Sequence, residues 1–235
     1  MSPIISTLSQ SFAVGTTFPK IVTNGLVLNL DAGNQNSYPG SGTTWFDLSG
    51  SGYTHTLTNA AYTTVDGVRC FNTSSTGRVT AAGTTFTFGS SHTMIGWARA
   101  LADSQVSNWR TLWRTTPDDH PILIQDWTNT IGYYDNNVAN FVSYGLNLGT
   151  LGLENKWTMY SLVASSGTTT LYINNGSSSG SVGYTASATS HYAFGNTADG
   201  TQPFGYVSTA LLYNRALTLT EIQQNFQALR GRFGI

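Results

Sequence analysis

Gly25-Leu26-Val27-Leu28-Asn29-Leu30-Asp31 places Leu26, Leu28 and Leu30 at every second position. A period of two sets all three on one face of an extended chain, so the run reads as a strand with one buried face. Outward from it, further runs rich in β-branched and aromatic residues follow at residues 68–72, 93–99, 110–114, 122–127, 130–134, 138–144, 157–164, 169–174, 191–194 and 204–213. Clusters of Gly, Asn, Asp and Ser separate them, and Asn175-Gly176 behind Leu171-Tyr172-Ile173 predicts a tight primed hairpin turn. Many short strands joined by such turns specify an all-β, two-sheet antiparallel sandwich.

One helix interrupts this pattern. Thr218-Leu219-Thr220-Glu221 has the spacing of a capping box, in which the Thr hydroxyl and the Glu carboxylate satisfy free amides reciprocally. Leu219, Ile222, Phe226 and Leu229 then recur three or four residues apart, an apolar stripe expected to dock on the sandwich. Gly231 is the expected left-handed residue that stops the helix.

The 235 residues divide into an N-terminal arm, 1–23, and one sandwich domain, 24–235. The arm carries only isolated apolar residues, Ile4, Ile5, Leu8, Phe12, Val14 and Phe18, which cannot enclose a core. Extended at about 3.3 Å per residue it would reach roughly 60–70 Å, long enough to lie on a neighbouring subunit; the alternative is an edge strand of its own sandwich. Charged residues make up 9% of the chain, against roughly 25% in ordinary soluble proteins. A surface of Ser, Thr, Asn and Gly tolerates close contact with other neutral surfaces, which suits a packed assembly. Ten scattered basic residues and a net charge of -1 provide no stripe for a phosphate backbone, which argues against nucleic acid. No apolar run is long enough to cross a membrane, and the first eighteen residues lack the basic start and apolar run of a signal peptide, so the product is expected to remain where it is made or to leave by cell lysis. The lone Cys70 lies in apolar sequence and reads as a buried, inert thiol.

Two stretches go beyond generic β character. The first runs from Gly25 through Asp31-Ala32-Gly33-Asn34 and Ser37-Tyr38-Pro39-Gly40 to Thr44-Trp45-Phe46-Asp47-Leu48-Ser49-Gly50; the second is Ala210-Leu211-Leu212-Tyr213-Asn214-Arg215-Ala216-Leu217-Thr218, leading into Glu221-Ile222. Together they resemble the concanavalin A-like, laminin-G-type jelly-roll superfamily. The arm and the closing Leu229-Arg230-Gly231-Arg232-Phe233-Gly234-Ile235 further resemble domains of tailed-bacteriophage structural proteins. That resemblance implies a virion-surface component made in the host cytoplasm, a capsid decoration or cement protein or a fibre. Its partners would be other virion subunits or further copies of itself, with a host-surface glycan as a further candidate. The laminin-G-type resemblance also raises calcium near Asp31 and Asp47, but the last strand lacks the acidic residue often found there in that group, no cofactor is expected, and the favoured role of Asp47 is to bond the amides of the Ser49-Gly50-Ser51-Gly52 turn.

Catalytic signatures are missing. Glycosidases need two carboxylates facing across a cleft, but the only glutamates are Glu154, in a loop, and Glu221, in the helix cap. No Gly-x-Ser-x-Gly elbow accompanies His55, His92, His120 or His191. A free-standing carbohydrate-binding module is therefore the alternative function, and a glycoside hydrolase a more distant one. Trp109, Trp113, Trp127, Tyr133 and Tyr134 concentrate in the middle third beside Asp118, Asp119 and His120. Sugar rings stack on aromatic faces while amides and carboxylates take the hydroxyls. Trp109, Trp113 and Trp127 are thus candidate platforms, with Asp119 and His120 as polar contacts; core packing accounts for the same aromatics equally well.

Overall fold

The computed structural model describes residues 19–82, 86–116, 119–136, 140–183 and 191–235, apart from the side chain of Tyr192. Sixteen strands run through them: Leu26–Asp31 (β1), Thr44–Trp45 (β2), His55–Thr58 (β3), Ala61–Val65 (β4), Val68–Asn72 (β5), Arg78–Ala81 (β6), His92–Ala100 (β7), Arg110–Thr115 (β8), His120–Ile124 (β9), Thr130–Asp135 (β10), Asn140–Asn147 (β11), Trp157–Ser165 (β12), Thr168–Ile173 (β13), Ser178–Val182 (β14), His191–Phe194 (β15) and Gly205–Tyr213 (β16). They pair antiparallel in two sheets. The first has the order β14-β13-β12-β7-β16-β5-β4, with β1 also on β16; the second has the order β11-β10-β9-β8-β15-β6-β3-β2. The helix Leu219–Leu229 (α1) and a 3-10 turn, Arg230–Phe233, close the chain.

Alternation along the strands sorts their side chains between layers. Leu28, Leu30, Trp45, Phe71, Met94, Leu112, Trp113, Ile122, Tyr160, Phe194 and Leu212 fill the space between the sheets. Ile95, Trp97, Leu211 and Tyr213 point out of the first sheet into a second apolar layer with Ile222, Phe226 and Phe233. There Trp97 stacks on Phe233 at 4.0 Å and on Phe226 at 5.7 Å between ring centroids. The first sheet is thus covered on both faces, which is why β7, β12 and β16 read as nearly unbroken buried runs. No helix covers the outer face of the second sheet among the described residues.

Several local expectations are corrected. Residues 19–23 already belong to the packed body: Val22 is buried, its N–H donates to Asn225 Oδ1 at 2.8 Å, and its carbonyl accepts from Tyr213 Oη at 2.9 Å. The arm residues Ile4, Ile5, Leu8, Phe12 and Phe18 lie outside the described residues. Leu219 is largely exposed, and the buried face of α1 is Ile222, Asn225 and Phe226. Gly231 does not stop the helix; the chain tightens through the 3-10 turn and ends at Gly234, with φ 73°. The stack of Phe233 on Trp97 and the bond of Arg232 to Asp31 draw it back toward the sheet. In the β13–β14 hairpin the positive φ angles fall on Asn174 and Gly176 within a four-residue loop, so a two-residue Asn175-Gly176 turn does not form.

Candidate functional site

The second sheet carries a depression of about 230 Å³ lined by Trp109, His120, Leu123, Tyr134, Asn136 and Gln202, with Leu123 and His120 themselves buried at its base. Its floor follows from strand alternation: Ile122 and Ile124 join the inter-sheet core, while Leu123 between them faces outward. Gly132 opposes Leu123 on β10, and a side chain there would collide with the Phe141 ring at 2.5 Å. The bare glycine lets Phe141 lie across the strand and support Trp109, whose ring meets Phe141 at 5.5 Å and Tyr134 at 5.9 Å, both edge to face. Aromatic walls and a flat floor are therefore packed in place before any ligand arrives.

The polar rim has a fixed hydrogen-bond direction. Thr111 Oγ1 donates to Gln202 Oε1 at 2.6 Å and lies 2.9 Å from His120 Nδ1. A hydroxyl has one proton, so with it spent on Gln202 the His120 Nδ1–H is the donor to Thr111. Gln202 in turn is left its amide N–H groups for the depression. The Gln202 backbone N–H is held by Asn196 Oδ1 at 2.9 Å.

Below one end of the site, the guanidinium of Arg110 is fully buried. It donates to the Leu101 carbonyl at 2.6 Å, to Asn129 Oδ1 at 2.6 Å and to Asp103 at 3.3 Å. Burial lowers its pKa, and Asp103 and Glu154 oppose that shift. Asn129 also donates to Glu154 at 3.0 Å. One buried cation thus ties the start of β8, next to Trp109, to the β9–β10 turn that carries Trp127.

The sequence-predicted residues part company here. Trp109 and His120 line the depression. Trp113 does not: the irregularity between Thr111 and Trp113 turns its ring inward, 4.7 Å from both His191 and Phe194 and without exposure, so it cannot stack on a ligand. Asp119 is also fully buried; its carboxylate accepts the Asn136 N–H at 3.2 Å and so positions a rim residue instead of contacting ligand. Asp118 lies outside the described residues. Trp127 stands apart on the β9–β10 turn, 78% exposed, with φ 57° and its indole N–H donating to Ser107 Oγ at 3.1 Å. Tyr134 belongs to the aromatic concentration but not to the expected contacts, and Phe141, Asn136, Gln202 and Thr111 were not singled out. Tyr134 had a signal, since Tyr133 enters the core and its neighbour must then face out. Gln202 arrives from the loop before β16 and had none.

Both carboxylates raised for calcium are committed to protein donors. Asp31 accepts Arg232 Nη1 at 2.7 and 2.8 Å and the Gly33 N–H at 2.8 Å. Asp47 accepts the N–H groups of Asn29, Ser49 and Gly52 and the Ser49 hydroxyl, at 2.7 to 3.0 Å. A guanidinium beside one and four donors on the other do not fit a hard cation that takes six to eight oxygens, and the four donors give Asp47 the turn-bonding role favoured in the sequence. Glu221 is held by Arg215 at 2.5 and 3.0 Å within the capping box. The Arg215 bond, foremost, holds its carboxyl down near about 2. Cys70 is buried, and desolvation pushes its thiol up to about 12.

No family model matches the sequence, and no curated protein matches it. Similar solved structures exist at the level of fold. The sialidase of Trypanosoma rangeli, in complex with sialic acid, superposes with a TM-score of 0.58 at 15% identity, over 88% of this chain and 33% of that one. The binding domain of Paraclostridial Mosquitocidal Protein 1 gives 0.60 at 16%, over 87% and 52%. The ligand-binding domain of botulinum neurotoxin serotype D, in complex with N-acetylneuraminic acid, gives 0.62 at 16%, over 88% and 51%. The chain spans a third to about half of the length of these structures. At such identities the likeness defines the fold alone: a concanavalin A-like jelly-roll sandwich.

Proposed function

We propose that this chain is a non-enzymatic, lectin-like carbohydrate-binding domain whose site is the depression on the outer face of the second sheet. The carrying observation is the packed aromatic wall of Trp109, Tyr134 and Phe141 beside the amides of Gln202 and Asn136 in one depression. Its 230 Å³ fall below the roughly 300–1,000 Å³ of engulfing pockets, which suits a ring laid on a surface. No carboxylate lines it among the described residues. The solved binding domains of the two toxins are consistent with such a role.

A second part of the proposal rests on the N-terminal arm, the phage-like closing segment 229–235 and the low charge: the domain works on the surface of a bacteriophage particle, anchored by its N-terminal segment among other virion subunits. A millimolar site is worth only about 4 kcal/mol, so attachment would come from many copies displayed together. The test is a glycan array probed with a multivalent display of the chain. Binding that falls at least tenfold in Trp109→Ala, with an unchanged melting temperature, supports the site; a blank array removes the lectin reading. Finding the chain in purified particles tests the virion placement separately.

A further inference from the structure

Resting on that reading, we infer that the ligand is a neutral oligosaccharide running from the depression, over the ridge of residues 107–109, to Trp127 as a second stacking platform.

The charge of the ligand follows from the lining. Trp109, His120, Leu123, Tyr134, Asn136 and Gln202 include no arginine, lysine or carboxylate. An acidic sugar's carboxylate is met most strongly by a cation, best by an arginine fork. None of the chain's ten basic residues lines the depression. Amides and aromatic faces suit uncharged hydroxyls and the apolar face of a pyranose. The sialic acid bound by two of the similar folds therefore does not transfer to this surface.

The extent of the ligand follows from Trp127. Large indoles are normally well buried, yet this one is 78% exposed. A bulky residue at φ 57° is also strained. The turn nevertheless holds it firmly: Asp126 Oδ1 accepts the Trp127 N–H at 3.0 Å, Asn147 donates to the Thr128 carbonyl at 2.7 Å, and the Leu148 N–H donates to the Asn129 carbonyl at 2.8 Å. Its indole N–H is bound to Ser107 Oγ, which fixes the ring edge against the ridge. The ridge continues into the site, because Asn108 donates to the Thr201 carbonyl at 2.6 Å and accepts the Trp109 N–H at 2.8 Å. Trp127, Ser107, Asn108, Trp109 and Gln202 so form one continuous strip with an aromatic ring toward each end. A bilayer is a poorer occupant, since the carboxylate of Asp126 is bonded to the Trp127 backbone N–H and the Ser107 hydroxyl to its indole N–H.

Neutral gluco- and manno-oligosaccharides of two to six residues, with sialyllactose as the acidic probe, are titrated against wild type, Trp109→Ala, Trp127→Gly and Trp127→Phe. The expected result is affinity that rises with chain length in a neutral series. Trp127→Gly should lose that rise, at least fivefold on the longest member, while binding the shortest as wild type does; Trp127→Phe should restore part of it, and Trp109→Ala should lose both. Because glycine relieves the left-handed backbone, Trp127→Gly should melt no lower than wild type, which a purely structural tryptophan would not allow. Length-independent binding, or an unchanged Trp127→Gly, overturns the extended site and leaves the lectin reading standing. Binding of sialyllactose alone overturns neutrality. Silence of the wild type toward every probe overturns both.

Discussion

His55 and His191 stack at 5.0 Å at one end of the inter-sheet core, and each has at most one polar contact there. His55 Nδ1 lies 3.1 Å from the Tyr53 carbonyl, and Leu28, Phe86 and Leu212 pack around the pair. Desolvation drives the His55 pKa down to about 4, against smaller opposing effects of the Tyr53 carbonyl and Asp47. Desolvation and then the neighbouring His55 push His191 well below the ordinary range. Both pKa values are lower folded than unfolded, so between about pH 6.5 and 4 the unfolded chain binds more protons and stability falls as pH falls. Above pH 6.5 the pair contributes no pH dependence. At about 1.4 kcal/mol per pKa unit, His55 alone removes about 2–3 kcal/mol by pH 4.5. Denaturant melts at pH 7.5 and 4.5 measure this; a His191→Leu variant should show a smaller drop between the two, and an equal drop would place the acid sensitivity elsewhere.

At the scale of elements, α1 holds the outer layer of the first sheet through few residues. Phe226 is buried against Trp97, whereas Gln223 and Gln227 face solvent. Phe226→Ala should cost about 3–5 kcal/mol and the two glutamine-to-alanine changes less than about 0.5 each. Coincident denaturant midpoints for all three would show that the helix is not docked. This helix was legible because capping chemistry and the 3.6-residue period are local; the burial of Asn225 was not, because its partners Val22 and Tyr213 are remote in sequence. Strands with strong side-chain patterns, such as 68–72 and 157–164, were equally plain. The Ser178–Val182 strand was hidden, because Ser-Ser-Gly-Ser has no strand propensity and its pairing depends on a neighbour. Gly180 sits against the Tyr144 carbonyl of β11, where a side chain would lie 1.7 Å away, so the two sheet edges meet through that glycine. The site was half legible for a related reason: composition marks aromatics, but which face each occupies depends on bulges such as the one before Trp113.

Across the whole molecule the two outer faces have different fates. Helix α1, the 3-10 turn and residues 19–23 cover the first sheet, which leaves the second to present the depression and Trp127. The covering layer is fastened by the pair Asp31–Arg232 at 2.7 Å, by Gln224 donating to the Lys20 carbonyl at 2.8 Å, and by the shared bonds of Val22, Asn225 and Tyr213. Residues 1–18 lie outside the described residues; their sparse, isolated apolar residues cannot enclose a core, and these packing contacts belong to residues 19–23. A chain beginning at residue 19 should melt within a degree or two of the full-length chain. Removal through residue 23 should behave differently. It takes away buried Val22 and partly buried Ile21, and leaves the Asn225 carbonyl and Tyr213 hydroxyl without their backbone partners. Asn225 and Tyr213 keep their bonds to each other, so the loss is chiefly burial, about 1.5–3 kcal/mol for a valine-sized side chain, with about 1 kcal/mol for each backbone hydrogen bond removed. Thermal and urea melts of the two truncations make the comparison. If the shorter deletion already destabilises the sandwich, residues 1–18 contribute to the fold and are not a separable anchor; if neither does, the Val22–Asn225–Tyr213 cluster does not hold the layer.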